Sequence, residues 1–394
     1  MAAVQAAGGA LQGVRVLDFS TLLPGPMCTL LLAEAGADVI KVEKPGGEDM
    51  RRYHPVVGPD SAHFVLLNRG KRSLVLDLKD PKQRAQLDPL LATADVLVEQ
   101  FRPGVMQRLG LDHATLQARH PRLIYCSITG YGQNGPRAQT AAHDLNYAAD
   151  AGLLSNTAQP ALPPALVADI AGGAYPAFAN IALALLQRER TGQGCFLDIA
   201  MAENLWPFQY AALAGLEATG AAPAPGQGIT AGGSPRYQVY ACADGQHVAV
   251  APLEEKFWQT FCQLINLPQA WRAPNANPAE VQQAVAQHLA TQPAEHWLAC
   301  LGTADTCVVQ VLSAEQARQH PQFAARGVFA HRVQHSHGAV DESQVQTRFL
   351  LQALTPVALR WNDSTMRGTG EVMNMTRPEG LARLAGFVSS KWAT

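Results

Sequence analysis

Alternation is the feature that most constrains this chain. Residues 13–19, GVRVLDF, form a short run suited to a strand. Residues 24–37, PGPMCTLLLAEAGA, read as a helix with proline near its start and Gly36 at its end. Residues 38–45, DVIKVEKP, form a second strand run. A helix-long connection between two such strands makes them parallel neighbours, a βαβ unit. The pattern repeats with RSLVLDLK (72–79), a helix from Pro81, and ADVLVEQF (94–101). Helical stretches around RPGVMQRLGL and HATLQARH lead to the strand RLIYCSITG (122–130). Strands alternating with helices predict an α/β domain on a parallel sheet.

Beyond Asp169 a long Ala-rich helix is expected as far as QRERTGQG, then a strand, CFLDIAMAE, entering another helix. From Leu216 to Pro235 the chain is rich in Gly, Ala and Pro, the composition of a linker. YQVYACADGQHVAVAP then places two β-like runs around Asp244-Gly245, a hairpin signal. Helical patterns EEKFWQTFCQLI, PAEVQQAVAQHLATQ and PAEHWLACLG follow. A chain of 394 residues favours more than one domain. The expected plan is a Rossmann-like large domain whose first part is residues 1–215, then a linker, 216–235. A smaller α+β domain follows, 236–330, and a return segment, 331–394, rejoins the large domain.

Net charge is −2 and 47% of residues are hydrophobic. That balance carries neither a nucleic-acid footprint nor a polybasic membrane patch. An anionic ligand must then be held by a few local Lys and Arg side chains. The seven Cys are scattered, odd in number and without CxxC spacing, which argues against disulfides or zinc and for a reducing, cytoplasmic setting. The N-terminal MAAVQAAGGALQ lacks the basic and apolar regions of a secretory signal, and the ending KWAT is no peroxisomal address. Residues 170–187 are uncharged and near spanning length. Gly172, Gly173, Pro176, Asn180 and an Ala-dominated composition make them a buried helix rather than a membrane span.

The turn after the first strand, STLLPGPM, has one glycine between two prolines. A dinucleotide fingerprint needs GxGxxG there, so NAD is not expected, although Glu43 stands where a ribose-binding acid would. Cations recur near strand ends: Lys41 and Lys44, then Arg69, Lys71 and Arg72, then Arg102 and Arg108. Each is either a solvated surface charge or a grip on phosphate. His143 is a candidate acid or base, with Tyr147 four residues on and so on the same helical face. The plain alternative is a capped helix in which Asp144 is the cap. Asp169 is a second candidate, opening the Ala-rich helix where free N–H groups can bind an oxyanion, or it is simply an N-cap. Glu254 stands just after the hairpin strand at a helix start, where acids are common for dipole reasons. GxSxG, HExxH and the P-loop do not occur. His331, His335 and His337 cluster without a carboxylate partner at helical spacing, so no metal is expected.

The motifs taken together resemble the family III CoA-transferases, which include formyl-CoA transferase, the carnitine CoA-transferases and α-methylacyl-CoA racemase. The carrying stretches are GVRVLDFSTLLPGPMCTLLLAEAGADVIKVEKP, NRGKRSLVLDLK, ADVLVEQFRPGVMQRLGL, RLIYCSITGYGQNGP, HDLNY, ADIAGG, RTGQGCFLDIAMAE and YQVYACADGQHVAVAPLEEKFW. The resemblance implies two interlocked chains and coenzyme A bound across the large domain as part of the substrate, with no separate cofactor. By resemblance Leu22, Lys44, Lys71, Arg72, Arg102 and Arg108 hold coenzyme A, while Asp144, Tyr147 and Gly172 shape the site. The racemase branch carries His in HDxNY, Asp in DxxGG and Glu after the VAV strand, matched here by His143, Asp169 and Glu254. It implies 1,1-proton transfer at the α-carbon of a 2-methylacyl-CoA, with Glu254 orienting His143 and N–H groups near Asp169 and Gly172 facing the thioester oxygen. The alternative is a CoA-transferase in which Asp169 forms an acyl anhydride and then an enzyme–CoA thioester. A non-catalytic binding protein with a degenerate site is the third reading.

Overall fold

The structure is a computed structural model that describes residues 9–58, 60–273, 275–329 and 373–374. The chain forms two compact units. One comprises the chain up to Tyr147, Ala165–Leu205 and the chain from Ala325; the other comprises Ala148–Pro164 and Trp206–Ala324.

The first unit is built on a parallel sheet. Its strands run in the order Met373–Asn374, Arg72–Val75, Asp38–Glu43, Arg15–Asp18, Val96–Glu99, Ile124–Thr129 and Phe196–Ala200. Every pairing is parallel, with Leu17 opposite Ile40 on one side and Leu97 on the other. Arg15–Asp18, Val96–Glu99 and Ile124–Thr129 are buried at every position. That follows from helices covering both faces, which leaves no polar side for alternation to mark. The helix Pro24–Glu34 is likewise buried throughout, as a helix apolar on all sides must be. Its one acid, Glu34, pairs with buried Arg69. On the sheet's other face Leu87, Leu90, Leu91, Leu111 and Leu116 pack with Leu17 and Leu97.

Two expected helices take a different form. The stretch from Pro81 breaks into Pro81–Arg84 and Asp88–Leu91, because Pro89 cannot supply a helical N–H. The Ala-rich helix does not begin as an α-helix. Ala168–Ala174 is a π-helical turn that runs into the α-helix Tyr175–Thr191. This helix lies against the strands Ile124–Thr129 and Phe196–Ala200 and against Pro24–Glu34. It buries Ala177, Ile181, Ala184 and Leu185, and Arg188 pairs with Asp95 at 2.9 Å. Tyr175, Leu183 and Leu186 remain exposed on its other face. The segment is long and apolar enough to span a membrane by length and composition, yet one side is a core face.

The second unit carries the hairpin at the predicted place. Gln238–Ala241 pairs antiparallel with His247–Val250, and Gly245 takes a φ of +76° in the turn. A third strand, Val308–Gln310, pairs with the outer edge of His247–Val250. Three residues are too few to show a period in sequence. Helices Glu255–Leu264, Pro278–Leu289 and Ala294–Leu301 cover one face, with Trp258, Phe261, Val285 and Trp297 in the core.

The units do not divide where composition suggests. Residues 148–164 belong to the second unit, as does the helix Tyr210–Thr219, which overlaps the stretch read as linker. That stretch is packed rather than free. The Gly226 N–H donates to the Asn156 carbonyl at 2.9 Å, and a Cβ on Gly226 would stand 2.6 Å from that of Ala158. Of the segment 331–394, only Met373 and Asn374 are described, paired with Leu74 and Val75 at the edge of the large sheet. His331, His335 and His337 lie outside the described residues.

Candidate active site

Open parallel sheets bind ligands beyond the carboxyl ends of their strands. Here Asp18, Glu43, Val75 and Glu99 end four strands. The residues that follow them wall a cavity of about 760 Å³. Its apolar surface comes from Phe19, Val42, Leu76, Leu78 and Phe101, and its cations are Lys44, Lys79, Arg84 and Arg108. Glu43, Glu48, Asp49 and Asp77 also line it, Asp49 pairing with Lys44 at 3.2 Å; the apolar walls suit a flat ring and the cations its phosphates. Lys44 and Arg108 were singled out in sequence; Lys79 and Arg84 were not. Lys79 closes the third strand run and Arg84 follows it, where a recurrence of cations was the available signal.

The remaining expected cations stand elsewhere. Lys71 is buried, and its ammonium is met by Asp18 at 3.1 Å, the Pro26 carbonyl at 2.9 Å and Asn68 at 2.9 Å. Three partners use its three N–H groups, so it does not grip a ligand phosphate. Burial lowers its pKa to about 8, against the opposing pull of Asp18. Arg72 opens its strand opposite Ile40 and pairs with Asp38, the first residue of the neighbouring strand. It therefore sits toward the amino end of the sheet, away from the cavity. Sequence placed both in one charged cluster, but Lys71 precedes the strand that Arg72 opens, and each meets a different carboxylate, Asp18 and Asp38. Arg102 is exposed and does not line the cavity; its charge acts instead on the Tyr147 phenol. Leu22 is also outside the lining and packs against the buried cluster of Met27, Phe64 and Ala174.

The second part of the site is built around HDLNY. His143 is exposed and stands immediately before the helix Asp144–Asp150. Its carbonyl accepts from the N–H of Asn146 at 2.8 Å, while its own N–H donates to the Asn146 side chain at 3.0 Å. The backbone at His143 is thus fixed on both sides, as in half of a capping box. Asp144 does not cap its own helix. It is buried, and Oδ1 accepts the Asp169 N–H at 2.8 Å across a sequence gap of 25. Tyr147 is buried, donates from its hydroxyl to the Ala142 carbonyl at 2.8 Å, and meets Tyr131 edge-on at 5.2 Å. Burial, then the nearby Asp169, pushes its pKa up to about 12.

Asp169 lies in the first turn of the π-helical segment and is half-buried. Burial, reinforced by the Asp144 carboxylate, raises its pKa to about 6. Its N–H is already given to Asp144, so it is not the free donor expected for a thioester oxygen. The turn is held from below. A Cβ on Gly172 would come 2.5 Å from the Met201 carbonyl, and Asn204 donates to the Gly172 carbonyl at 2.8 Å. Asn204 was missed, since nothing in AMAEN marks it. π-Helical turns are rare and favour functional sites.

Glu254 belongs to the second unit. It is exposed at the N-cap position of Glu255–Leu264, and its carbonyl accepts from Trp258 at 3.0 Å.

The model of CoA-transferase family III matches residues 11–363. The chain is 38% identical over 334 residues to acetyl-CoA:oxalate CoA-transferase of Acetobacter aceti, covering 81% of this chain and 85% of that protein. It is 37% identical over 336 residues to alpha-methylacyl-CoA racemase of Homo sapiens, covering 81% and 82%. Among solved structures, a CAIB/BAIF family protein from Brucella suis superimposes with a TM-score of 0.71 at 29% identity, covering 82% of this chain and 89% of that one.

Proposed function

Because the chain belongs to CoA-transferase family III, we propose that it acts on acyl-CoA thioesters and interconverts the epimers of a 2-methylacyl-CoA. The observation carrying this reading is a half-buried carboxyl, Asp169, with a pKa near 6, whose backbone N–H is held by Asp144, the residue beside His143. A carboxyl that exchanges its proton near neutrality, with an imidazole as the second acid or base, is what 1,1-proton transfer requires. One removes the α-proton from one face and the other returns a proton to the opposite face. In the reverse direction the roles exchange. The negative charge that develops on the thioester oxygen is stabilised by the positive end of the helical segment beginning at Ala168. Lys44, Lys79, Arg84 and Arg108 hold the nucleotide and phosphates of coenzyme A. The exposed Tyr175, Leu183 and Leu186 support a homodimer in which they are covered.

A second reading is favoured by similarity to a CoA-transferase at 38% identity beside the racemase at 37%. In it the Asp169 carboxylate attacks the thioester carbonyl and expels the CoA thiolate, giving an acyl anhydride. One experiment separates the two. A 2-methylacyl-CoA is incubated with the protein in deuterated water without any acceptor acid. Under the first reading the α-proton exchanges, and His143→Ala lowers exchange by on the order of 100-fold or more. The backbone bonds of His143 survive that substitution, so the loss reports the imidazole. Absence of exchange, with an acceptor-dependent rate and a hydroxylamine-sensitive adduct on Asp169, would establish the transferase.

A further inference from the structure

Between the cavity and the Asp169 turn runs the connection from the first strand to the first helix, residues 19–23. Its conformation is unusual. Leu22 has a φ of +61°, a left-handed value that non-glycine residues adopt at a cost. Two buried side chains from the second strand and its following loop hold the backbone on either side of Thr21. Lys41 donates to the Ser20 carbonyl at 2.7 Å. Glu48 Oε2 accepts the Leu22 N–H at 2.8 Å. Lys41 and Glu48 also pair with each other at 3.4 Å, each side chain 1% exposed. Ser20, Thr21 and Glu48 line the cavity. Leu22 and Leu23 pack against a buried cluster that includes Ala174, and Ile170 of the Asp169 turn packs against the same cluster. A buried ion pair is weak evidence for stability alone, since desolvation cancels much of its attraction. Its use here is geometric: one partner fixes a carbonyl and the other an N–H, two residues apart, on a strained turn.

We propose that Lys41 and Glu48 are positioning residues, a clamp that holds the Ser20–Leu22 turn so that substrate anchored in the cavity presents its thioester to Asp169. The proposal rests on the acyl-CoA reading above. It makes a distinction that a purely structural role does not. Lys44, Lys79, Arg84 and Arg108 make none of the clamp's hydrogen bonds, so most of the affinity for free coenzyme A stays although Glu48 lines the cavity; alignment of the reacting end depends on the clamp, so turnover falls.

The test uses Glu48→Ala and Glu48→Gln. Glutamine keeps a carbonyl oxygen for the Leu22 N–H; alanine does not. Calorimetric titration with free coenzyme A gives the affinity. The turnover measured is whichever the wild type performs, α-proton exchange or acyl transfer. The expected result is that Glu48→Ala binds coenzyme A within about threefold of wild type while kcat falls at least tenfold. Glu48→Gln recovers most of that kcat. Unchanged kcat in Glu48→Ala overturns the proposal. So does a parallel loss of affinity and kcat in both variants, which is the signature of a damaged fold. If Glu48→Ala does not fold, Glu48→Gln and Lys41→Met decide: Lys41→Met must lower kcat with coenzyme A affinity retained, and failure to do so overturns the clamp. A wild-type protein with neither activity removes the acyl-CoA reading instead, and the clamp with it.

Discussion

Asp169 combines two demands that sequence alone does not reconcile. It opens a helical segment, where a carboxylate is normally stabilised, yet its pKa rises because burial and Asp144 both oppose ionisation. The sign of the consequence is definite. A carboxyl whose folded pKa exceeds its ordinary 3.8 favours the fold while protonated in both states and loses that advantage as pH rises through about 6. Asp169→Asn should therefore be more stable than wild type at pH 8, by on the order of 2 kcal/mol, with the difference vanishing near pH 3. Denaturant melts at the two pH values check it. Activity should run the other way: kcat/KM in the direction that uses Asp169 as base should fall as pH drops below about 6, and Asp169→Asn should be inactive at any pH. The candidate triad of His143, Asp169 and Glu254 was legible as residue types in known motifs. That Asp144, the neighbour of the first, holds the backbone of the second was not, because a hydrogen bond spanning 25 residues leaves no periodic trace.

The elements were mostly readable because their signals are local. Proline at the start of Pro24–Glu34 and Gly36 beyond its end bound a helix whatever surrounds it. The hairpin at Asp244-Gly245 is equally local. The π-helical turn was hidden: ADIAGGA looks like the start of an α-helix, and its wider winding is set by contact with Met201. Gly172→Ala tests this. A methyl group 2.5 Å from the Met201 carbonyl meets backbone, which cannot rotate away. The variant should lose on the order of 2 kcal/mol in stability despite alanine's better helix propensity. It should also lose activity at temperatures where it remains folded, because Asp169 rides on the displaced turn. A gain in Tm would show that the turn has room.

For the molecule as a whole, His143 and Glu254 belong to different compact units, so only measurement decides whether their effects on catalysis are linked. A double-mutant cycle with His143→Ala and Glu254→Gln measures that linkage in kcat. If Glu254 acts through the imidazole, the double variant should be scarcely slower than His143→Ala, leaving an interaction of about 1 kcal/mol or more. Strictly additive losses would give Glu254 a separate role.

Strand and helix identities, the parallel sheet and the family were carried by the sequence, because periodicity, turn chemistry and long contiguous motifs survive in one dimension. The fate of each charge was settled in three. Lys71 and Arg72 are adjacent letters, yet one ammonium is buried on Asp18 and the other cation pairs with Asp38. Lys79 and Arg84, unremarkable in the chain, face the cavity. An ion's role depends on which partners and how much water surround it, and those are supplied by strands distant in sequence brought side by side.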